Sequence, residues 1–469
     1  MSAWLGKIFS GVSKKQSSGR LKLFLLSSLY FLIIASYTIL RDMKNAVFMG
    51  VVGKEYIPWA RIGVLLLFIP AILLYSKLVD NVRRYHLLVA YSIFYSFVAL
   101  ALAFFVGHST IGIGNTSQSP YRLFGWIFYF LVEGYSPFVL SVFWAFVGSI
   151  SNPDEAKKNY GIMVGGSKLG GMFSSGLAWL LLSATTFPIV GALSSVGKHQ
   201  LMLAAISILL MLIPIVVKIL MSTVSGRELH GYEAVYKVEK KRSKAGKSKT
   251  GIFAGLKMFT KYPYVLGIFF MIFFYDILAT LLSYLRLHVA QTSGNSIADV
   301  SMFLFKWVFI MQACGFVVST LGTPSILKRF GARVGFLLIP LFMAIGALVF
   351  FFSSSVVFIM IGYTITKTMH YAFAYPVREL LYIPTLKEIK FKSKSWIDAF
   401  GTKFAKFSGG TVNIFALRLG AQMFYPFIAG FFTVIIGLWF VVAFFLGLRY
   451  DRAIKNNEVI GHNDEGENS

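Results

Sequence analysis

The stretch LMLAAISILLMLIPIVV, at residues 201–217, runs for seventeen residues without a charged side chain. A helix needs about 20 mostly apolar residues to cross the hydrocarbon core of a bilayer, and the surrounding segment 199–222 meets that requirement. Similar segments recur along the whole chain of 469 residues. The sequence therefore predicts a protein built from membrane-spanning helices.

Twelve such segments are predicted, which makes the chain an all-α membrane protein. Their approximate bounds are 21–40, 58–77, 86–107, 124–150, 161–182, 199–222, 262–290, 301–323, 334–353, 356–378, 396–417 and 425–448. The composition agrees, because 57% of the residues are hydrophobic and 14% are charged, whereas about a quarter of the residues in soluble domains are charged. An ordinary soluble enzyme is therefore excluded.

The distribution of positive charge predicts that both termini are cytoplasmic. The connections between consecutive spans are numbered in chain order. The odd-numbered connections contain six Lys and Arg residues, whereas the even-numbered connections and the two chain ends together contain 31. Cations near the end of a span are counted with the adjacent connection. Membrane proteins concentrate Lys and Arg in their cytoplasmic loops. The net charge of +26 thus follows from topology, and no nucleic-acid partner is needed to explain it.

One long gap divides the spans into six and six. It contains a Lys- and Arg-rich run at 237–249, which is typical of a solvated linker or of a site for anionic lipid. The predicted domains are a six-helix bundle at 1–220, a basic cytoplasmic linker at 221–261, a second six-helix bundle at 262–450 and a polar cytoplasmic tail at 451–469. Two such halves suit transport by alternating access.

Corresponding basic turns in the two halves are candidate gating loops. They contain Asp80, Arg83 and Arg84 after the second span, and Lys328, Arg329 and Arg333 after the eighth. These turns resemble the loop signature of the major facilitator superfamily, in which they hold neighbouring helices together in one gate state. The alternative is the ordinary positive bias of short cytoplasmic turns.

Ionisable side chains within the spans point to the substrate. The cations are Arg61, Lys168, Arg286, Lys306, Lys367, Arg378, Lys403 and Lys406, and the acids are Glu133, Asp276, Glu379 and Asp398. Each such charge costs about 2.5–3.5 kcal/mol in the bilayer centre, and pairing within the set cannot neutralise the excess of cations. A polyanionic substrate would neutralise it. Arg61, Arg286, Lys306 and Arg378 are also close enough to span ends to act as interface anchors.

The strongest single candidates are deep in their spans. Lys403 and Lys406 share one helix face, where two cations repel unless an anion lies between them. Glu133 and Asp276 each need a cationic partner or a bound proton. Lys168 interrupts a glycine-rich run, which more often permits close helix packing than it binds phosphate. No intact metal, catalytic-triad or dinucleotide motif is present, so we expect no cofactor and no catalytic residue.

Several short segments carry a recognisable order of residues. They are RELLYIP at 378–384, KSKSWIDAFG at 392–401 and KFSGG at 406–410, with LRDMKNA at 40–46 and EAKKNY at 155–160. The long run resembles the KEMAYIP, KGKAAIDVVG and GKSGG segments of the ATP/ADP translocase family, the nucleotide transporters of plastids and obligate intracellular bacteria. The weaker resemblance extends through most of the chain.

The resemblance implies a facilitator-like fold that exchanges ATP for ADP across a bacterial inner membrane or a similar bilayer. It places charged binding residues of the family on Arg61, Glu133 and Lys406, and with poorer flanking matches on Asp276. Arg61 stands where the family usually has lysine, which replaces an ammonium with a bidentate guanidinium. Lys168 stands where the family usually has asparagine.

Two other functions fit the same residues. One is a proton-coupled facilitator for a nucleotide or another polyanion, such as a sugar phosphate or a dicarboxylate. The other is a membrane-embedded enzyme or structural component, for which a catalytic constellation is missing. The expected partners are ATP, ADP and membrane lipids, and the oligomeric state stays open.

Overall fold

A computed structural model describes residues 14–150, 153–183, 191–224, 261–292, 294, 296–351, 355–385, 397, 401–456 and 458–460. Within these ranges the chain is almost entirely helical. The α-helices are α1 (Lys14–Val51), α2 (Ile57–Asn81), α3 (Arg84–Val106), α4 (Leu123–Tyr135), α5 (Ser141–Ile150), α6 (Pro153–Ser183), α7 (Ser195–Thr223), α8 (Pro263–Thr292), α9 (Ile297–Val317), α10 (Thr323–Phe351), α11 (Val356–Met369), α12 (Tyr375–Glu379), α13 (Thr402–Arg418) and α14 (Ala421–Lys455).

Seven of the described helical segments are long and apolar enough to cross a membrane. Helix α7 has apolar side chains both on the face that packs against the protein and on the face that is exposed. Its residues Leu203 and Leu210 are fully buried in the protein, while Leu201, Ile208 and Ile215 form an exposed face that is equally apolar. A helix that is hydrophobic all round belongs in a core or in a bilayer. The protein is an integral multi-pass membrane protein, as predicted, and the total of twelve spans stays a prediction.

Short π-helical segments connect several helices without an intervening turn. Ser136–Leu140 joins α4 to α5, Val318–Gly322 joins α9 to α10, and His370–Ala374 joins α11 to α12. Pro137 lies in the first segment and Pro376 closely follows the third. Proline removes a donor from the regular helical ladder, which explains a local change of hydrogen bonding at these two positions. Such segments are frequent at functional sites.

The chain forms two compact units that do not coincide with its N- and C-terminal halves. The first unit comprises Met1–Lys44, Leu73–Thr116 and Ile127–Ser248, and the second comprises Asn45–Ile72, Ser117–Trp126 and Lys249–Ser469. The second unit thus includes the end of α1 and the first part of α2. The predicted six-helix bundles at 1–220 and 262–450 remain a prediction about the sequence halves.

Small residues bring helices together inside each unit. In the first unit, the Ser96 Oγ on α3 lies 2.7 Å from the Ser207 Oγ on α7. In the second unit, a Cβ added to Gly362 on α11 would lie 2.6 Å from the Gly346 carbonyl oxygen on α10. Close approach through small or hydroxyl-bearing residues is the usual way in which membrane helices associate.

The structure corrects one predicted boundary. The first span was expected to end near residue 40, but α1 continues as a helix to Val51. Arg41, Asp42 and Lys44 therefore lie within a helix and not in the connection that follows it. This change adds buried charges to the set that the protein must accommodate.

The candidate gating loops lie at helix ends. Arg83 directly precedes α3. Lys328 and Arg329 lie in a helical turn that is interrupted by Gly331, whose φ of 76° is the left-handed conformation that favours glycine. Their gating role remains a prediction.

The C-terminal end of α14 is held to the segment that follows α12. The Ile460 amide donates to the Pro384 carbonyl oxygen at 2.7 Å, and the Arg449 Nη1 donates to the Glu458 Oε2 at 2.8 Å. Hydrogen bonding to the Arg449 guanidinium lowers the pKa of Glu458. Most of the predicted linker 221–261 and the last nine residues of the predicted tail lie outside the described residues.

Candidate functional site

A cluster of cations surrounds one carboxylate in the second unit. Asp276 on α8 interacts electrostatically with Lys406 and Lys403 on α13, with Arg378 on α12 and with Lys367 on α11, and Lys406 has the largest effect. These electrostatic partners lie on α11, α12 and α13. Like charges repel one another in a medium of low dielectric constant, so an anion close to these cations would reduce their mutual repulsion.

Gly409 lets α13, which carries Lys406, pack closely against α8, which carries Asp276. A Cβ added to Gly409 would lie 2.8 Å from the Thr280 Cβ and 2.9 Å from the Ile277 carbonyl oxygen. Helices α13 and α8 can therefore approach this closely only when position 409 has no side chain. Lys406 precedes Gly409 by one turn and lies on the same face of α13. The KFSGG segment is thus both a close-packing surface and a carrier of charge.

Arg61 belongs to the same unit and is anchored one turn away from Asp276. Its Nη1 donates to the Thr280 carbonyl oxygen at 2.7 Å. The Thr280 hydroxyl in turn donates to the Asp276 carbonyl oxygen at 2.7 Å. A Cβ added to Gly410 would lie 3.8 Å from the Arg61 Cβ, so α2 packs against α13 here. The structure thus brings Arg61, Asp276, Lys403 and Lys406 into one region.

Aromatic rings hold two of these cations. The Lys403 Nζ lies 4.7 Å from the centroid of the Phe68 ring, and the Lys367 Nζ lies 5.4 Å from that of Tyr275. The face of an aromatic ring attracts a cation where water is scarce. Each lysine therefore keeps a stabilising contact in the absence of a bound anion.

Two of the expected anchors are buried. Arg378 is 8% exposed and Arg286 is 3% exposed. The Arg286 Nη1 donates to the Tyr363 hydroxyl at 3.3 Å, and its guanidinium carbon lies 4.7 Å from the centre of that ring. Both arginines are therefore enclosed by protein, and their position relative to the membrane interface stays a prediction. Lys306, in contrast, is exposed on α9.

The first unit contains a different arrangement, in which an acid is closely paired. The Lys44 Nζ lies 2.6 Å from the Glu133 Oε2 and 4.2 Å from the centroid of the Tyr129 ring. The sequence predicted that Glu133 needs a cationic partner, and that partner is Lys44. The sequence did not predict Lys44 as this partner, because the predicted first span ends at residue 40. The charged run at 41–44, directly after twenty apolar positions, was the signal that the helix could continue.

Lys168 also lies in the first unit. It interacts electrostatically with Arg41, which forms an ion pair of 2.8 Å with Asp42. The neighbouring Gly170 lies against α1, since an added Cβ would be 2.5 Å from the Phe31 carbonyl oxygen. The glycine-rich run around Lys168 therefore provides close helix packing, as its composition favoured.

The described residues contain no group of three or more His, Cys, Asp or Glu side chains that could hold a metal ion. Of the four predicted intramembrane acids, Glu379 is the last residue of α12, and Asp398 lies outside the described residues.

Solved structures share this helical architecture. A D-xylose-proton symporter is 14% identical with a TM-score of 0.58, and the match covers 92% of this chain and 96% of the symporter. A bacterial homologue of the iron transporter ferroportin is 13% identical with a TM-score of 0.55, over 92% of this chain and 98% of the other. These likenesses show that this chain has the same overall helical fold as those two proteins.

The family follows from the sequence itself. A model of the TLC ATP/ADP transporter family matches residues 121–359 and 352–450, and the chain belongs to this family. The resemblance predicted from the long motif run is confirmed. The protein is thus a transporter, and the alternative of a membrane-embedded enzyme is wrong.

Curated relatives extend over almost the whole chain. The ADP,ATP carrier protein 1 of Chlamydia pneumoniae is 23% identical over 92% of this chain and 92% of its own length. The ADP,ATP carrier protein 3 of Rickettsia conorii is 23% identical over 84% of this chain and 86% of its own length. The chloroplastic ADP,ATP carrier protein 1 of Arabidopsis thaliana is 23% identical over 90% of this chain and 73% of its own length.

Proposed function

We propose that this protein exchanges ATP for ADP across a bacterial inner membrane by alternating access. The proposed topology has twelve spans in two six-helix bundles, with the basic linker, the polar tail and both termini in the cytoplasm. The family and the names of its relatives support the nucleotide substrate. The excess of cations in cytoplasmic positions supports the orientation.

The cation cluster around Asp276 is the observation that carries the proposal. Lys406, Lys403, Lys367 and Arg378 all interact electrostatically with the Asp276 carboxylate. The triphosphate of ATP supplies several negative charges and many acceptor oxygens. Charge-assisted hydrogen bonds from ammonium and guanidinium groups to phosphate are among the strongest available to a protein.

We assign a separate role to each charged residue of the proposed site. Lys406 and Lys403 bind phosphate oxygens from α13, and Arg61 adds a guanidinium fork from α2. Asp276 acts as the internal counter-ion that a bound phosphate displaces. Glu133 and Lys168 are proposed substrate-binding residues of the first unit.

The same charge balance gives a physical reason for exchange. An empty carrier would have to reorient with its buried cations in a low-dielectric environment and without a bound anion, which is slow. A bound nucleotide removes that penalty in both directions, so return of the carrier depends on a counter-substrate. In a proton-coupled mechanism, protonation of Glu133 or Asp276 would instead change the charge of the site on the return step.

The test is uptake of labelled ATP into proteoliposomes that contain the purified protein. We expect uptake to be rapid when the vesicles are preloaded with ADP and at least about tenfold slower when they are empty. Excess sugar phosphate or dicarboxylate should not compete. If a pH gradient drives uptake of ATP into empty vesicles, exchange is contradicted and proton coupling is favoured. If sugar phosphate competes with ATP, the proposed nucleotide substrate is contradicted.

A further inference from the structure

The ion pair between Lys44 and Glu133 is asymmetric in its exposure. The side chain of Lys44 is 5% exposed, while that of Glu133 is 19% exposed. The Lys44 ammonium is enclosed between the carboxylate and the face of the Tyr129 ring, whose centroid is 4.2 Å away. The carboxylate is therefore the more accessible member of the pair, and the ammonium is the more deeply buried one.

This arrangement argues against phosphate binding by Lys44. A phosphate group that approached the lysine would meet the carboxylate, which has the same sign of charge. It would also have to separate a buried ion pair, which leaves one buried charge uncompensated. The partly exposed Glu133 is consequently the group that is suited to meet a substrate.

The chemistry of an ionised carboxylate defines what it can recognise. It only accepts hydrogen bonds, so its complement is a donor and not a phosphate oxygen. A nucleotide has such donors in its nucleoside half, namely the ribose hydroxyls and the exocyclic amine of adenine. Its phosphate half has acceptors and negative charge, which an ionised carboxylate repels.

The helices that carry the pair are held firmly against each other. The Tyr135 hydroxyl on α4 donates to the Ile33 carbonyl oxygen on α1 at 3.0 Å. The Tyr135 ring also stacks on that of Tyr37, with centroids 5.7 Å apart and an interplanar angle of 10°. Lys44 and Glu133 thus approach each other from two helices whose register is set by independent contacts, which is the arrangement that a precise binding group requires.

We propose that Glu133 accepts a hydrogen bond from the nucleoside half of the substrate and that Lys44 is the positioning residue that orients its carboxylate. The inference rests on the proposed function, which supplies the nucleotide. It assigns recognition of the nucleoside to an acid of the first unit. It also gives Lys44 a role that does not involve direct contact with the substrate.

The experiment compares substrates that differ by one donor. In proteoliposomes, kcat/KM is measured for ATP, 2′-deoxy-ATP, 3′-deoxy-ATP and inosine triphosphate, which lacks the amine. We expect the wild type to prefer ATP by about tenfold or more over the analogue that lacks the recognised donor, because hydrogen bonds to charged groups are strong. The analogue that is discriminated against identifies a ribose hydroxyl or the base amine as the donor.

The variants separate positioning from phosphate binding. Glu133→Gln and Lys44→Met should reduce the preference for ATP to less than about threefold and raise KM for ATP, since a neutral or misplaced acceptor is weaker. Lys44→Arg should keep most of the preference. Inhibition by tripolyphosphate, which has no nucleoside, should be unchanged in all three variants.

A matched control comes from the same helix. Lys22 on α1 is also a buried lysine, but its Nζ donates to the Ile150 carbonyl oxygen at 2.7 Å. Lys22→Met should leave the preference between ATP and its analogues unchanged. Membrane abundance is measured for every variant, and if Lys44→Met is not inserted, the results for Lys44→Arg and Glu133→Gln decide.

Four results would overturn the inference. Weaker inhibition by tripolyphosphate in Lys44→Met would place Lys44 on the phosphates. An unchanged preference in Glu133→Gln would remove Glu133 from the nucleoside. Full recovery of the preference by the charge swap Lys44→Glu with Glu133→Lys would make the pair purely structural. Equal transport of ATP and all three analogues by the wild type would refute the inference while ATP exchange stands, whereas absence of ATP exchange would refute the proposed function itself.

Discussion

The two charged regions of this protein solve the problem of buried charge in opposite ways. In the first unit, Glu133 has a partner of opposite charge at 2.6 Å. In the second, Asp276 interacts electrostatically with four cations, Lys406, Lys403, Lys367 and Arg378. The first region is thus built around one close ion pair, and the second around one acid with several cationic partners. This difference is the reason for which we propose that the second region binds an anionic group of the substrate.

The packing around the two acids differs as well. Glu133 lies near a network of tyrosine rings, in which Tyr135 stacks on Tyr37. Asp276 lies on a helix that is approached closely by Gly409 of α13. The first region therefore depends on pairing and aromatic stacking, and the second depends on the absence of side chains at the helix contact. Substitutions should affect the two regions differently, which makes the comparison testable.

The largest effect is expected from Lys406→Ala. This substitution removes the cation that interacts most strongly with Asp276, together with a proposed phosphate contact. We expect ATP exchange to fall by about 10- to 100-fold, the loss that corresponds to a hydrogen bond to a charged group. The measurement is exchange of labelled ATP in proteoliposomes with equal amounts of inserted protein.

The matched control for this prediction is Lys306→Ala, which removes an exposed lysine from α9 in the same unit. It should leave exchange within about twofold of the wild type, as surface substitutions usually do. Wild-type exchange in Lys406→Ala would show that the second region does not bind the phosphates.

A smaller effect is expected from Gly409→Ala. The new Cβ would lie 2.8 Å from the Thr280 Cβ, so α13 and α8 must move apart. We expect a loss of about 1–3 kcal/mol of stability, the usual cost of overpacking, and a reduced exchange rate because Lys406 is displaced. Thermal unfolding in detergent measures the first and vesicle exchange the second.

Gly437→Ala on α14 serves as the comparison, because nothing lies within 4 Å of a Cβ at that position. Its stability should match that of the wild type or exceed it slightly, since alanine favours a helix over glycine. If both substitutions have the same effect, close packing at position 409 is not what positions Lys406.

The smallest effect is expected from Asp276→Asn. Without the internal counter-ion, the cations should hold a nucleotide more tightly, so we expect the dissociation constant of ATP to fall about threefold and the turnover to fall with it. Equilibrium binding and exchange rates measure the two effects separately. Glu133→Gln should not tighten binding of ATP, and tighter binding in that variant would erase the contrast between the two regions.

The candidate site could be predicted only in part from the sequence. Arg61, Asp276, Lys403 and Lys406 were predicted individually, and the structure places them in one unit. Lys367 and Arg378 were noted as intramembrane cations, but their approach to Asp276 depends on how α11, α12 and α13 pack around α8. The partner of Glu133 could not be identified, because Lys44 lies 89 residues earlier in the chain.

The sequence by itself determined that this is a multi-pass membrane protein and to which transporter family it belongs. Both follow from local properties, namely apolar runs long enough to span a bilayer and short motifs in a particular order. Only the tertiary structure decided which buried charges meet. Pairing of this kind is set by the contacts between helices from distant parts of the chain, and the composition of a single helix does not encode them.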